Sequence, residues 1–393
     1  MYELYRPRPT NRDIWVYDLP SFEQVGLISE YTSLAMERQH TGIGRFSLAL
    51  PVRAVDAGKL QEGRIICLGQ SDARAGLVQS VDTSRDRGPK YVTVEGRMLK
   101  GLVHRRVIVP PTATEDPAAL GWDRVAGTAE EVYRHYVDRH IVSPTDANRA
   151  LQGVVLDDLA VPPRGITTPW QCQHDERLED VLPAIGKWTD MGWDMRLDVR
   201  NKRIVFVAVP GRDLTQGNAE GNSPVAFSEG FGNIIVSRYL WDKSEFVNAP
   251  YLGGAGEDEN QLVLTAYVND AGQQLTDPIA GWDRREGWIS VGNEDDPAAL
   301  ISSGLQKLRD GWKYIRGLEA TVTPGGSFVY CVDWDVGDKV TAIVDVLGGR
   351  LRLDARVMAA REVYERSGST VEVTLGSSAL ELKDRIIELQ KRM

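Results

Sequence analysis

Hydrophobic and polar positions alternate through the first hundred residues. The alternation runs through IWVYDL (14–19), GLISEYTSLAMERQ (26–39), RFSLALP (45–51), RIICLG (64–69), GLVQSVDT (76–83) and KYVTVEGRML (90–99), with Gly, Pro and Asp at the joints. A period of two puts successive side chains on opposite faces of a strand, so these segments predict short strands of an antiparallel sandwich or barrel. In RFSLALP, Phe46, Leu48 and Leu50 share one face and Pro51 ends the run. Just before it stand Gly42 and Gly44, a pair that can cradle a phosphate or turn a hairpin. A phosphate cradle needs a helix N-terminus after the loop, with a third glycine or a Lys-Ser/Thr pair. A period-two strand follows instead, so the pair predicts a hairpin turn.

Near residue 110 the period changes. PPTATEDPAALGWDR (110–124) is Pro-rich and loop-like, and GTAEEVYRHYVDRHIV (127–142) has helical spacing. Thr128 and Glu131 form a capping box, and Val132, Tyr133, Tyr136 and Val137 make an apolar face. After a mixed stretch ending in prolines (145–165), RLEDVLPAIGKWTDMG (177–192) predicts a second helix through Leu178, Val181, Leu182, Ile185 and Trp188. A hairpin is expected over 193–211, turning at Asn201 and Lys202. From 224 sheet patterns return, in 224–242, 245–254, 261–270, 316–324, 335–344, 350–365 and 369–376. They are interrupted by a helix over 297–312, where Leu300, Ile301, Leu305 and Leu308 repeat at helical spacing. The tail, 377–393, reads as an amphipathic helix with Ile386, Ile387 and Leu389 near its end. The fold class is thus β-rich α+β. The expected domains are a sheet domain over 1–110, an inserted α+β subdomain over 111–211, a second sheet domain over 212–376 and the C-terminal helix.

Composition changes this picture little. The 393 residues are 42% hydrophobic and 26% charged, enough to bury cores. No run of 18 apolar residues exists, so no membrane insertion by this chain is expected, and the N-terminus lacks the apolar stretch of a secretory signal. Cys67, Cys172 and Cys331 stand far apart with no CxxC pair, which predicts buried thiols rather than a disulfide framework. The net charge of −10 argues against nucleic acid as a bound ligand.

Candidate chemistry is sparse. His135 and His140 lie five apart on one expected helix, which points them about 140° apart and away from a shared metal. Cys172-Gln173-His174 has no second pair beside it, and neither HExxH nor G-x-S-x-G occurs. Three carboxylate clusters stand out: GEDEN (256–260), EDD (294–296) and DWDVGD (333–338). The third resembles a calcium loop, but Gly337, Asp338 and Val344 occupy positions that loop reserves for an acid, a glycine and a glutamate. It reads as a turn, 336–339, feeding a strand over 340–344. Two carboxylates at the right separation cleave a glycosidic bond, but sequence supplies no separation. No catalytic residue, metal or cofactor is expected.

The order of segments resembles the siphophage minor tail proteins of the baseplate-hub, or tail-associated, family. The resemblance rests on ISEYTSLAMERQHTGIGRFSLALP (28–51), EGRIICLG (62–69), KYVTVEGRMLKGLVHRR (90–106), FGNIIVSRYLWD (231–242), LGGAGEDENQ (252–261), DVGDKVTAIV (335–344) and STVEVTLG (369–376). Each motif is weak alone; their order spans nearly the whole chain. It implies a structural hub similar to those of contractile tails and injection systems. Such a hub is a homotrimer whose subunits each carry two tube-like β-barrel domains, so that three subunits form a pseudo-sixfold ring. The implied partners are a distal tail protein ring, the C-terminus of the tape-measure protein, and tail fibre or tip proteins, with DNA passing through unbound. The implied place is the virion tail tip, after synthesis in the host cytoplasm. Family members often continue into a carbohydrate-binding or wall-cleaving domain; here one helix is expected instead, which argues against wall hydrolysis. The alternatives are a tail-associated wall hydrolase and a host-glycan-binding tip protein. Glu257, Asp258 and Glu259 then read as an acidic loop at the lumen or at a contact. Trp282 and Trp288 read as subunit-contact aromatics or as ordinary half-buried tryptophans.

Overall fold

Strands dominate the fold. The computed structural model describes residues 12–84, 90–112, 121–270, 272–311, 315–322 and 326–376. The amphipathic helix expected over 377–393 lies outside the described residues. Among the described residues fourteen strands join in one sheet. Its main path runs Gln24–Ile28, Ile14–Tyr17, Ile65–Leu68, Ala75–Ser84, Tyr91–Met98, Arg45–Pro51, Ser33–Gln39, Gly349–Glu365, Gly368–Gly376, Ile315–Val322 and Ile234–Asp242. The alternating segments of the first hundred residues thus become a connected antiparallel set. The run read as one piece over 26–39 divides after Ile28, and its parts occupy separate places in the sheet order. Gly42 and Gly44 lie in the turn between Ser33–Gln39 and Arg45–Pro51. Gly44 has φ +80°, and a Cβ there would fall 2.1 Å from the Glu37 carbonyl oxygen, so this turn requires glycine. Among the described residues no closed barrel forms; the strand path stays open.

The 17-residue strand Gly349–Glu365 belongs to two ladders. Its first half pairs antiparallel with Lys339–Val346. Its second half lies between Gly368–Gly376 and Ser33–Gln39. The changeover falls at a bulge between Val357 and Ala359, where the Met358 carbonyl accepts the His40 N–H at 2.8 Å. A bulge adds a residue and steepens the twist, which lets one strand pass from one ladder to the next. Lys339–Val346 also takes Asp213–Leu214 and Ala226–Ser228 as parallel partners, so the sheet is not purely antiparallel.

Ile65–Leu68 reads Ile-Ile-Cys-Leu with no polar position, because both its faces are covered. Ile66 and Leu68 join one core with Leu34, Phe46, Leu48 and Val94. Ile65 and Cys67 face the other way, into a core with Tyr133, Tyr136, Leu182 and Trp193. Helices α1 (Ala129–Val137) and α2 (Leu178–Thr189) supply this second cover. At the start of α1 the Glu131 N–H donates to Thr128 Oγ1 at 3.4 Å, and the Thr128 N–H donates to the Glu131 carboxylate at 2.8 Å, which is the expected capping box. The expected apolar positions of α1 are all fully buried, and each contributes on the order of 1.5–3 kcal/mol. Trp188 of α2 is half-buried and its indole N–H donates to Thr168 Oγ1 at 3.0 Å. The hairpin Gly192–Asp198/Arg203–Val209 follows, with Val154–Leu156 as a parallel third strand.

The described residues divide into two compact units: those up to Arg238 together with 318–376, and those over Tyr239–Gly317. The smaller unit has a three-stranded sheet in the order Val263–Thr265, Ala249–Gly253, Glu286–Ser290. Helix α3 (Pro297–Gly311) covers one face of it, where Leu252, Leu264 and Ile289 meet Leu300, Ile301 and Leu305. Among the described residues no helix is long and apolar enough to cross a membrane.

Candidate functional site

In the larger unit a cavity of about 220 Å³ opens where the strand Ser33–Gln39 ends. Alternation places Leu34, Met36 and Arg38 on one face, and all three are buried. Arg38 donates to Asp335 Oδ1 at 2.6 Å and to the Tyr330 hydroxyl at 3.0 Å, with Asp194 at 3.6 Å. Arg212 grips Asp338 through Nε at 3.2 Å and a terminal nitrogen at 2.6 Å. Lys100 Nζ donates to the carbonyls of Gln39 at 2.9 Å and His40 at 3.2 Å, and lies 4.4 Å from the centre of the Trp193 ring. The Trp193 indole N–H in turn reaches the Thr41 carbonyl at 2.8 Å. Gly192 and Gly337 press on the His40 ring: a Cβ on either would fall 2.2 Å or 2.7 Å from Nδ1.

Burial drives the Lys100 ammonium down to about 7, with Asp194 opposing and Arg38 adding to the shift. Burial also drives His40 down to about 3, helped by the positive charges of Arg356 and Lys100, so its ring is neutral. The carboxylates on the cavity wall are engaged by arginines: Asp335 by Arg38, Asp338 by Arg212, and Asp194 by Arg38 and Arg196. The third carboxylate cluster of the sequence is therefore partly consumed in ion pairs, at the turn that feeds Lys339–Val346. The arrangement ties together chain segments near residues 38, 100, 193, 212 and 335, and its chemistry is that of a polar joint.

A second cluster lies beside α1. His135 Nε2 is 2.6 Å from Asp123 Oδ1, His140 Nε2 is 3.1 Å from Oδ2, and Arg139 Nε is 3.2 Å from Oδ2. The expected divergence of the two imidazoles does not occur. Asp138–Val142 winds as a π-helix, whose wider turn advances less per residue and returns His140 to the side of His135. Burial pushes Asp123 up, but the hydrogen bonds from His135 and His140, with the charge of Arg139, outweigh it and hold the carboxyl at about 2. Among the described residues no group of three His, Cys, Asp or Glu is arranged to hold a metal ion. The three cysteines are free thiols, and burial pushes Cys67 and Cys172 up to about 12, which leaves them unreactive.

Glu257, Asp258, Glu259, Trp282 and Trp288 all fall in the smaller unit. The three acids are exposed on the loop that leads from Ala249–Gly253 to Val263–Thr265. Trp282 is fully exposed, and Trp288 is 57% exposed. Trp288 stands opposite Tyr251 and reaches across Gly253, where a Cβ would fall 2.5 Å from its ring. The sequence reading passed over Arg284, which donates to the hydroxyls of Tyr251 at 3.1 Å and Tyr267 at 3.2 Å and to Glu286 at 2.6 Å. It also passed over Arg38, although a charge on the apolar face of an alternating strand is a signal of buried partners.

The profile of the siphovirus ReqiPepy6 Gp37-like protein family matches residues 13–377. The chain belongs to that family. Its fold is that of phage tail proteins. A tail protein from Neisseria meningitidis MC58 is 14% identical, with 93% of this chain and 97% of that one covered at a TM-score of 0.54. The 43 kDa tail protein of prophage MuSo2 from Shewanella oneidensis is 13% identical, with 92% and 98% covered at 0.57. Prophage tail protein gp18 from Listeria monocytogenes EGD-e is 11% identical, with 96% and 98% covered at 0.56. No curated protein matches the chain. On this tail-protein fold two segments of the larger unit stand open to solvent. Gln79–Ser84 is exposed at every position, and Leu347, at the turn between Lys339–Val346 and Gly349–Glu365, is fully exposed.

Proposed function

We propose that the chain is the hub subunit of the tail tip. Three copies close into a pseudo-sixfold ring that joins the tail tube to the tip and passes DNA without binding it. The chain is a component of the virion tail. The observation that carries the reading is end-to-end similarity: the three tail proteins are covered to 97–98% of their length, so the fold is shared along nearly all of each of them. The exposed strand Gln79–Ser84 and the exposed Leu347 support it, because open strand segments and apolar tips invite aggregation unless a neighbour covers them. The net charge of −10 supports a channel that repels phosphate. The engagement of Asp194, Asp335 and Asp338 by arginines supports a structural role without a reaction of its own.

In this reading 1–110 and 212–376 act as the two tube-like domains, with 111–211 between them. The ring meets a distal tail protein on one side and the tape-measure C-terminus and fibre or tip proteins on the other. The test is the copy number of the chain in purified virions, together with the mass and negative-stain image of the purified protein. Three copies per tail, and a ring near three times 43.6 kDa, are the expected outcome. Six or more copies per virion, or none, would overturn the hub reading whatever the free protein does.

A further inference from the structure

The smaller unit carries side chains that the hub reading does not use. Its sheet has one face packed on α3, and the register puts Tyr251, Gly253, Glu286, Trp288 and Ser290 on the opposite face. Trp288 is more than half exposed, yet it has a built seat. Its indole lies across Gly253, and the Gln261 amide lies over the same glycine, 3.2 Å from where a Cβ would stand. Along the same edge the Arg284 guanidinium sits 5.8 Å and 5.5 Å from the ring centres of Tyr251 and Tyr267. Its hydrogen bonds to both hydroxyls and to Glu286 are joined by one from the Tyr251 hydroxyl to Glu286 at 3.2 Å. A flat ring thus shares its sheet face with a carboxylate and a phenol that a guanidinium holds in place, and with an amide fixed by its hydrogen bond to the Gly254 carbonyl at 3.2 Å, all before any ligand arrives.

We propose that this face binds an uncharged hexopyranose glycan, with Trp288 as the stacking platform and Glu286, Arg284 and Gln261 as the hydrogen-bonding rim. One face of a pyranose ring is a plate of C–H groups that suits an indole, while its edge of hydroxyls needs donors and acceptors together, which Arg, Gln and Glu supply. A protein partner asks for more apolar surface. Among the described residues the large apolar side chains exposed on this face are Trp288 and Val263, whereas the core of a protein interface gathers several aromatic and aliphatic groups. Charge selects among glycans. Exposed Glu257, Asp258 and Glu259 lie on the loop that leaves the same strand just beyond Gly253, and they repel chains of phosphate or uronate. The proposal moves Trp288 from a subunit contact to a ligand platform. It takes from the tail-tip reading only the biological setting, a structure that meets a cell surface.

The test uses the full chain. It is titrated with uncharged hexose and N-acetylhexosamine oligosaccharides and, in parallel, with poly(glycerol phosphate), followed by tryptophan fluorescence and by saturation transfer from protein to sugar. The expected result is saturable binding of at least one uncharged oligosaccharide and none of poly(glycerol phosphate). Trp288→Ala should weaken it at least about tenfold and Glu286→Gln about fivefold, while Trp288→Tyr keeps part of it and Trp282→Ala changes nothing. Lack of binding at ligand concentrations on the order of 10 mM would overturn the proposal. So would a Trp288→Ala chain that binds as the wild type does, or one that loses self-association or capture of a tail protein while sugar binding is absent throughout. Trimer mass and virion copy number do not depend on this face, so the two readings fail separately.

Discussion

Arg38 shows how far a single residue can be read. Its place after Leu34 and Met36 on one face of an alternating strand marks it as a buried charge. Its partner Asp335 lies 297 residues away, and no local rule of spacing connects them. Replacing Arg38 with Met would leave half-buried Asp335 without its cation and Asp194 with Arg196 alone, so a loss of about 1–3 kcal/mol is expected, seen as a fall in the urea midpoint. His40 makes a pH prediction. Its folded value of about 3 lies below the ordinary 6.5, so below pH 6.5 the unfolded chain takes up a proton that the folded chain refuses. Stability is therefore full above that value and falls as pH drops toward 3, by up to about 1.4 kcal/mol per pH unit. His140, held down mainly by burial, adds to the same slope. His40→Leu should remove about one proton from the slope measured by urea unfolding between neutrality and mild acid; an unchanged slope would show that the ring is not the titrating group.

At the scale of elements, legibility followed locality. Helices α1, α2 and α3 and the hairpin over 192–209 were readable because periodicity, turn residues and, in α1, the capping box lie within a few positions of one another. Thr128→Ala removes one side of the capping box and should cost about 1 kcal/mol, measured by thermal or urea unfolding, with Thr128→Ser near wild type. The π-turn after α1 was not readable, since what holds it is a carboxylate on the neighbouring strand Trp122–Thr128, not its own sequence. The fully apolar run Ile65–Leu68 carried its meaning differently: lack of alternation told of two covered faces, but not of which elements cover them.

For the whole molecule, the shift of period near residue 110 marks a change of element type rather than a break in the core, because α1 and α2 share their core with Tyr17, Ile65 and Leu77. The separate compact unit is Tyr239–Gly317, whose short strands resemble the surrounding sheet pattern in sequence and so conceal its edges. In that unit the acids and tryptophans were legible as types, but that Trp288 shares a face with Tyr251 and Glu286 required the strand register. With a net charge of −10, the purified chain should leave double-stranded DNA unshifted in electrophoresis at physiological salt; a retained complex there would count against a channel that only conducts.

The pairing of Ser33–Gln39 with Gly349–Glu365 also sets a clock. A ribosome that adds about 5–20 residues per second finishes the later strand tens of seconds after the earlier one has emerged. During that interval Arg38 lacks Asp335 and one edge of Ser33–Gln39 lacks its neighbour. The central sheet is therefore completed only once Gly349–Glu365 has emerged, and chains halted before residue 349 are expected to be held by chaperones or degraded rather than enter assembly.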